Sequence, residues 1–153
     1  MSSRAAYPDT SFLCPLYIVQ ETSSEVIAHI ERMGEPLTVT ELVLYELRQT
    51  IRFQVWRHER DRTQGYPRKM MEAALSKLEA NIEAGALTVT PADWPEVHAL
   101  AERLSARHTP AAGHRAFDIL HVATALHLGA REFLTFDTNQ KKLAKAEGLK
   151  TSA

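Results

Sequence analysis

Short apolar stretches alternate with longer segments of helical period along this chain, and punctuation residues separate them regularly. A first strand is predicted to end near Tyr7, where Pro8 removes a backbone donor from the ladder. Ser23 to Met33 reads as a helix stopped by Gly34. Leu37 to Thr40 reads as a strand, after which Thr40 caps a helix running to about Thr63. Pro67 opens a further helix that ends at Gly85. Leu87 to Thr90 is a β-branched strand closed by Pro91. Asp93, Pro95 and Glu96 begin a helix through about Ala106. Arg115 to Leu128 is a strongly apolar helix ended by Gly129, Glu132 to Phe136 an apolar strand, Asn139 to Glu147 a helix, and Leu149 to Thr151 a last edge strand. Strands alternating with helices predict an α/β fold with a parallel sheet.

That order gives four carboxylates a common meaning. Asp9 and Asp137 follow the first and last main strands, while Glu46 and Asp118 lie in helices. A parallel sheet places its site outside the carboxyl ends of its strands, so the four are expected to meet in one acidic pocket. Such a pocket cannot stay fully ionised without a positive occupant, and a hard divalent cation, Mg²⁺ or Mn²⁺, suits it. Each acid also has a local explanation. Asp9 and Asp137 are good helix N-caps. Asp118 sits in a first turn favoured by the helix dipole. Glu46, flanked by Val43 and Leu47, is expected to be half-buried and to need a partner from elsewhere in the fold.

Composition narrows the class. The chain has 153 residues, enough for one domain with a core, with 44% hydrophobic and 24% charged residues, as expected of an ordinary soluble protein. No run approaches the roughly 18 apolar residues of a membrane span. Met1 to Tyr7 has no apolar run, so no signal peptide is expected, and the one cysteine, Cys14, fits a reducing cytoplasm. The net charge of −1 makes no global case for nucleic acid. Locally, however, Arg48, Arg52, Arg57, Arg60, Arg62, Arg68 and Lys69 are interleaved with Phe53, Trp56 and Tyr66, a stripe that suits a nucleic-acid strand. The competing expectation is a solvated helix face with the aromatics in the core. His114 and His121, seven apart, are expected to be solvated or hydrogen-bonded. No phosphate loop, CxxC or HExxH occurs.

The segments Asp9-Thr10-Ser11-Phe12-Leu13, Thr40 to Arg48, Phe117 to Ala125 and Leu134-Thr135-Phe136-Asp137 resemble, in order and spacing, those of PIN-domain ribonucleases of the VapC toxin type. The resemblance spans nearly the whole chain. It implies a three-layer α/β/α sandwich with a central parallel sheet of four to five strands, forming one domain over 1–153. It implies a metal-dependent endoribonuclease, with Mg²⁺ (or Mn²⁺) held by Asp9, Asp118 and Asp137, and with Glu46 completing the catalytic set. Ser11 and Thr135 match the supporting hydroxyls, and Arg48 and Arg52 would start the substrate path. A cognate antitoxin, an RNA substrate and a homodimer follow from the same likeness. The alternatives are a PIN-fold nuclease of RNA or DNA processing without an antitoxin, and a catalytically silent PIN-fold scaffold.

Overall fold

The computed structural model describes residues 6–151. Strand β1 (Ala6–Pro8) is followed by α1 (Thr10–Tyr17) and α2 (Ser23–Met33). Then come β2 (Leu37–Val39), α3 (Glu41–Arg60), α4 (Arg68–Glu83) and β3 (Leu87–Val89). The chain closes with α5 (Trp94–Ala112), α6 (Ala116–His127), β4 (Glu132–Leu134) and α7 (Thr138–Ala146). Among the described residues there is no helix long and apolar enough to cross a membrane.

The strands pair in parallel, β1 with β4 and β2 with β3, in the registers Tyr7–Phe133 and Thr38–Thr88. β1 also lies alongside β2, giving the spatial order β3-β2-β1-β4. The four described strands form two hydrogen-bonded pairs rather than one continuous ladder. Pro8 supplies the reason. Asp9 N–H bonds Leu134 O at 3.0 Å, and successive strand residues aim their N–H groups at opposite neighbours. The missing N–H of Pro8 therefore falls on the β2 side, where the ladder stops. The expected edge strand at Leu149 to Thr151 is reduced to one bridge, Glu132 to Lys150.

Right-handed crossovers dictate the layers. The chain moves one way from β1 to β3, so α1 to α4 share one face; it then returns past β1 to β4, so α5 to α7 share the other. The helix contacts follow this division. Tyr7, Phe133 and Leu134 from the strands meet Phe12, Leu47 and Ile51 from one layer and Ile119, Val122 and Leu143 from the other in one core.

Two local features depart from the pattern. Helix α1, absent from the periodicity, is capped by Asp9 and contains Pro15. Helix α5 continues past Ala106 to Ala112, through Pro110, and stops at Gly113 with φ 67°. Its exposed last turns are held from outside, because Arg107 and His108 both reach the Glu147 carboxylate at the end of α7, at 3.0 and 2.7 Å.

The connection from α3 to α4 folds back onto α3 at Gly65, whose φ is +58°. A Cβ there would lie 2.0 Å from the Gln54 carbonyl oxygen, a backbone atom. Tyr66 then buries its ring, and its hydroxyl donates to Ile51 O at 2.9 Å. Gly65→Ala must pay a left-handed conformation of about 1–2 kcal/mol plus displacement of the segment. A loss of about 3 kcal/mol is expected in denaturant unfolding; a loss below about 0.5 kcal/mol would contradict this packing.

Candidate active site

The connections leave β1 in opposite directions toward β2 and β4, which makes the carboxyl ends of β1 and β4 the switch point where α/β sheets open a crevice. Asp9 stands there, one residue past β1, and is 3% exposed. Its Oδ1 accepts Phe12 N–H at 3.0 Å and the Ser11 hydroxyl at 2.7 Å. Its Oδ2 accepts the Thr135 hydroxyl at 2.6 Å. Thr135 Oγ1 in turn accepts Asp137 N–H at 3.0 Å, and Ser11 Oγ accepts Phe136 N–H at 3.0 Å. The two hydroxyls singled out from the sequence thus tie the end of β1 to the segment after β4. Burial pushes the Asp9 carboxyl above the ordinary aspartate range, opposed by the hydrogen bonds from Thr135, Ser11 and Phe12.

Asp137 caps α7, accepting Gln140 N–H at 2.9 Å. The capping role foreseen for Asp9 and Asp137 is therefore real for both, and for Asp9 it uses only part of the carboxylate.

Glu46 has the distant partners its burial demanded. The Thr10 hydroxyl donates to Oε1, and His121 Nε2 lies 2.8 Å from the same oxygen. His121 is 1% exposed, and its ring meets Phe117 edge-on. Its Nδ1 is buried without a hydrogen-bond partner. Burial pushes Glu46 up, but the His121 hydrogen bond and charge, with Thr10 and Arg115, outweigh it and hold the carboxyl below the ordinary glutamate range. His121 belongs to the hydrogen-bonded class expected of it. Its link to Glu46, 75 positions away, has no signature in local spacing.

Asp118, in the first turn of α6, is half-buried and lies 3.6 Å from exposed Arg115. Its carboxyl is pushed up by burial and by the charges of Asp137 and Glu46, against Arg115 and His121. Asp118, Asp137 and Glu46 thus share one electrostatic neighbourhood, and His121 acts on both Glu46 and Asp9. Among the described residues, however, no three His, Cys, Asp or Glu side chains are grouped closely enough to hold one ion as a protein cage.

The donors are all hard carboxylate oxygens. Of the roughly four acceptor positions on a carboxylate, Asp9 spends three, and Glu46 keeps Oε2 clear of the bonds made to Oε1. This set fits a hard divalent cation that takes one or two carboxylates and keeps several waters.

The basic stripe divides. Arg48 pairs with Glu79 of α4 at 2.7 Å, and exposed Arg52 lies with Trp56 and Arg68 on the outer α3–α4 surface. Neither is on the Glu46 face of α3. Arg115, by contrast, lies beside Asp118, and Arg57 lines a cleft that also includes Thr10 and Ser11. Tyr66 is in the core, whereas Phe53 and Trp56 stack in the open, 47% and 49% exposed, with Arg60 4.0 Å from the Trp56 ring.

Comparison with known proteins now places this arrangement. The PIN-domain family model matches residues 6–146, and the chain belongs to the PIN-domain family. Similar solved structures include VapC20 of Mycobacterium tuberculosis, described as a sarcin-ricin loop cleaving toxin, at 16% identity and TM-score 0.65 over 90% of this chain and 94% of that one. FitAcB of Neisseria gonorrhoeae has 17% identity and TM-score 0.66, covering 95% of each chain. PAE2754 of Pyrobaculum aerophilum has 20% identity and TM-score 0.58, over 96% and 88%. At these identities the three agree with this chain in fold. No curated protein sequence matches.

Proposed function

We propose that this protein is a divalent-metal-dependent endoribonuclease and the toxin of a toxin–antitoxin pair, acting in the cytoplasm. The observation that carries the chemistry is the buried Asp9 carboxylate, fixed by three donors at the switch point and tied through Thr135 to the backbone of Asp137, whose charge acts with that of Glu46 on Asp118. The likeness in fold to VapC20 supports RNA as the substrate.

In this reading Asp9, Asp118 and Asp137 are the residues that would hold Mg²⁺ or Mn²⁺. When bound, the ion neutralises charge on the phosphate oxygens and lowers the pKa of water. Glu46 orients the attacking water through Oε2, because Thr10 and His121 fix Oε1. The water oxygen bonds to phosphorus, the P–O bond to the leaving nucleotide breaks, and the proton of the water passes to that oxygen through solvent. Ser11 and Thr135 hold Asp9 in place. Arg115 at the rim attracts the backbone, and Arg48 and Arg52 serve as outer contacts for RNA arriving from solvent.

The antitoxin would cover the α3–α4 surface, where an apolar helix finds Phe53 and Trp56, and the protein would work as a homodimer. Expression alone is expected to stop growth and create discrete new RNA ends. Co-expression with a small antitoxin encoded beside it is expected to suppress both. RNA without new ends under expression would overturn the reading.

A further inference from the structure

A cleft of about 560 Å³ opens next to the acids, between α1 and α3. This lies within the roughly 300–1,000 Å³ of small-molecule sites. Thr10 and Ser11, whose hydroxyls bond Glu46 and Asp9, form one end of it. From there the wall is a single face of α3: Thr50, Gln54 and Arg57 stand four, eight and eleven residues after Glu46, in phase with the helical turn. At about 1.5 Å per residue the stripe runs roughly 16 Å from the acid, further than one phosphate needs.

Its polar groups are prepared for a ligand. The side-chain Oε1 of Gln54 accepts Arg57 Nη1–H at 3.1 Å, which leaves the donors of its amide unspent by that bond. A second bond to Gln64 fixes the Arg57 guanidinium and leaves three of its five donors unspent. Phe136, backed by Phe12 at 5.7 Å, offers an aromatic face.

We propose that this cleft seats the nucleotides of single-stranded RNA that flank the scissile phosphate, with Arg57 on a phosphate, Thr50 and Gln54 on base or ribose edges, and Phe136 beneath a base. The assignment rests on the nuclease reading above and adds where the strand lies. The hydroxyl, amide and guanidinium groups of Thr50, Gln54 and Arg57 stand in a largely apolar wall with Ile18 and Phe136, which suits bases that rest on apolar surface by their faces and are held by polar groups at their edges. A cleft of this size admits an unstacked strand and not a duplex, and unpaired bases are what proteins read in RNA. It adds an inner path along α3 to the outer contacts at Arg48 and Arg52.

The protein carries its own reporter. Cys14, its one cysteine, lines the cleft and is 8% exposed. The full chain carrying Asp9→Asn is mixed with a short fluorescent single-stranded RNA in Mg²⁺. Binding is followed by anisotropy and Cys14 by its alkylation rate. Bound RNA is expected to slow alkylation. Thr50→Phe, which fills the cleft, is expected to weaken binding about tenfold, the scale of one stacked base. Arg57→Gln is expected to reduce the slope of log affinity against log salt by about one unit.

RNA that saturates the chain while Cys14 reacts at its free rate would overturn the cleft as the strand's seat. So would absence of RNA binding, or protection of Cys14 by a co-purified protein alone. Protection by an RNA that the Asp9→Asn chain still cuts would keep the cleft and remove the acid-site reading, so the two fail separately.

Discussion

Asp9→Asn is expected to lower RNA cleavage by at least about a thousandfold while the protein stays folded. Activity falls because the amide supplies no negative charge to the ion and its paired oxygen is already committed, and losing one such electrostatic group costs on the order of 10²–10³ or more. The fold survives because the surrounding bonds can be remade. Asn Oδ1 keeps Phe12 N–H and Ser11, and Asn caps helices as well as Asp does. The new Nδ2–H donates to Thr135 Oγ1, whose own proton turns to Ser11 Oγ, already 3.2 Å away. The sign of the stability change follows from the raised carboxyl of Asp9. A carboxyl with a raised folded pKa is bound to a proton more readily in the fold than in the unfolded chain. Its ionisation therefore costs stability as pH rises from the ordinary aspartate range through the folded value, a cost Asn lacks. Thermal unfolding at neutral pH should be unchanged or slightly raised. Asp9→Ala is different: it removes the cap and leaves the Ser11 and Thr135 hydroxyls without their acceptor, for a loss of about 2–3 kcal/mol. If Asp9→Asn cuts RNA at the wild-type rate, Asp9 is a cap and nothing more.

Withdrawal of divalent ions is expected to have an effect as large. The Asp118 carboxyl is pushed up partly by its neighbours Asp137 and Glu46, so the acids repel one another and gain from any cation among them. EDTA should stop cleavage, and Mg²⁺ or Mn²⁺ should restore it. Ca²⁺ should bind and support cleavage poorly, because its looser coordination positions water less well. Binding should also be visible without turnover, as a rise in the unfolding temperature on adding Mg²⁺ that is reduced in Asp118→Asn. Full activity in EDTA would remove the carboxylate–metal mechanism.

How far the sequence reached depended on the range of the interactions involved. The alternation of strands and helices was legible because each element carries its own periodicity and stop. The neighbourhood of Asp9 and the Asp137 segment was legible because the order of a parallel sheet turns sequence position into spatial position. Helix α1 was hidden because it is eight residues long, nearly all apolar, and contains Pro15, which reads as a break. Its place is set by burial of Phe12 and Leu13 in the core, a tertiary fact. Helix α5 was cut short at Ala106 because its apolar period ends at Leu104. What extends it is the distant anchor at Glu147. The same limit applies at the site. Glu46 visibly needed a partner, but nothing local named His121. The basic residues were visible as a stripe, whereas the side each one faces emerged only once Glu79 had taken Arg48 and Arg57 had turned toward the cleft.

The most direct measurement is a time course of cleavage of end-labelled RNA by purified wild-type and Asp9→Asn protein, each with Mg²⁺ and with EDTA. The account predicts cutting at discrete sites by the wild-type protein with Mg²⁺ and intact RNA in the other three reactions. Cutting at a comparable rate by Asp9→Asn, or by the wild type in EDTA, would contradict it.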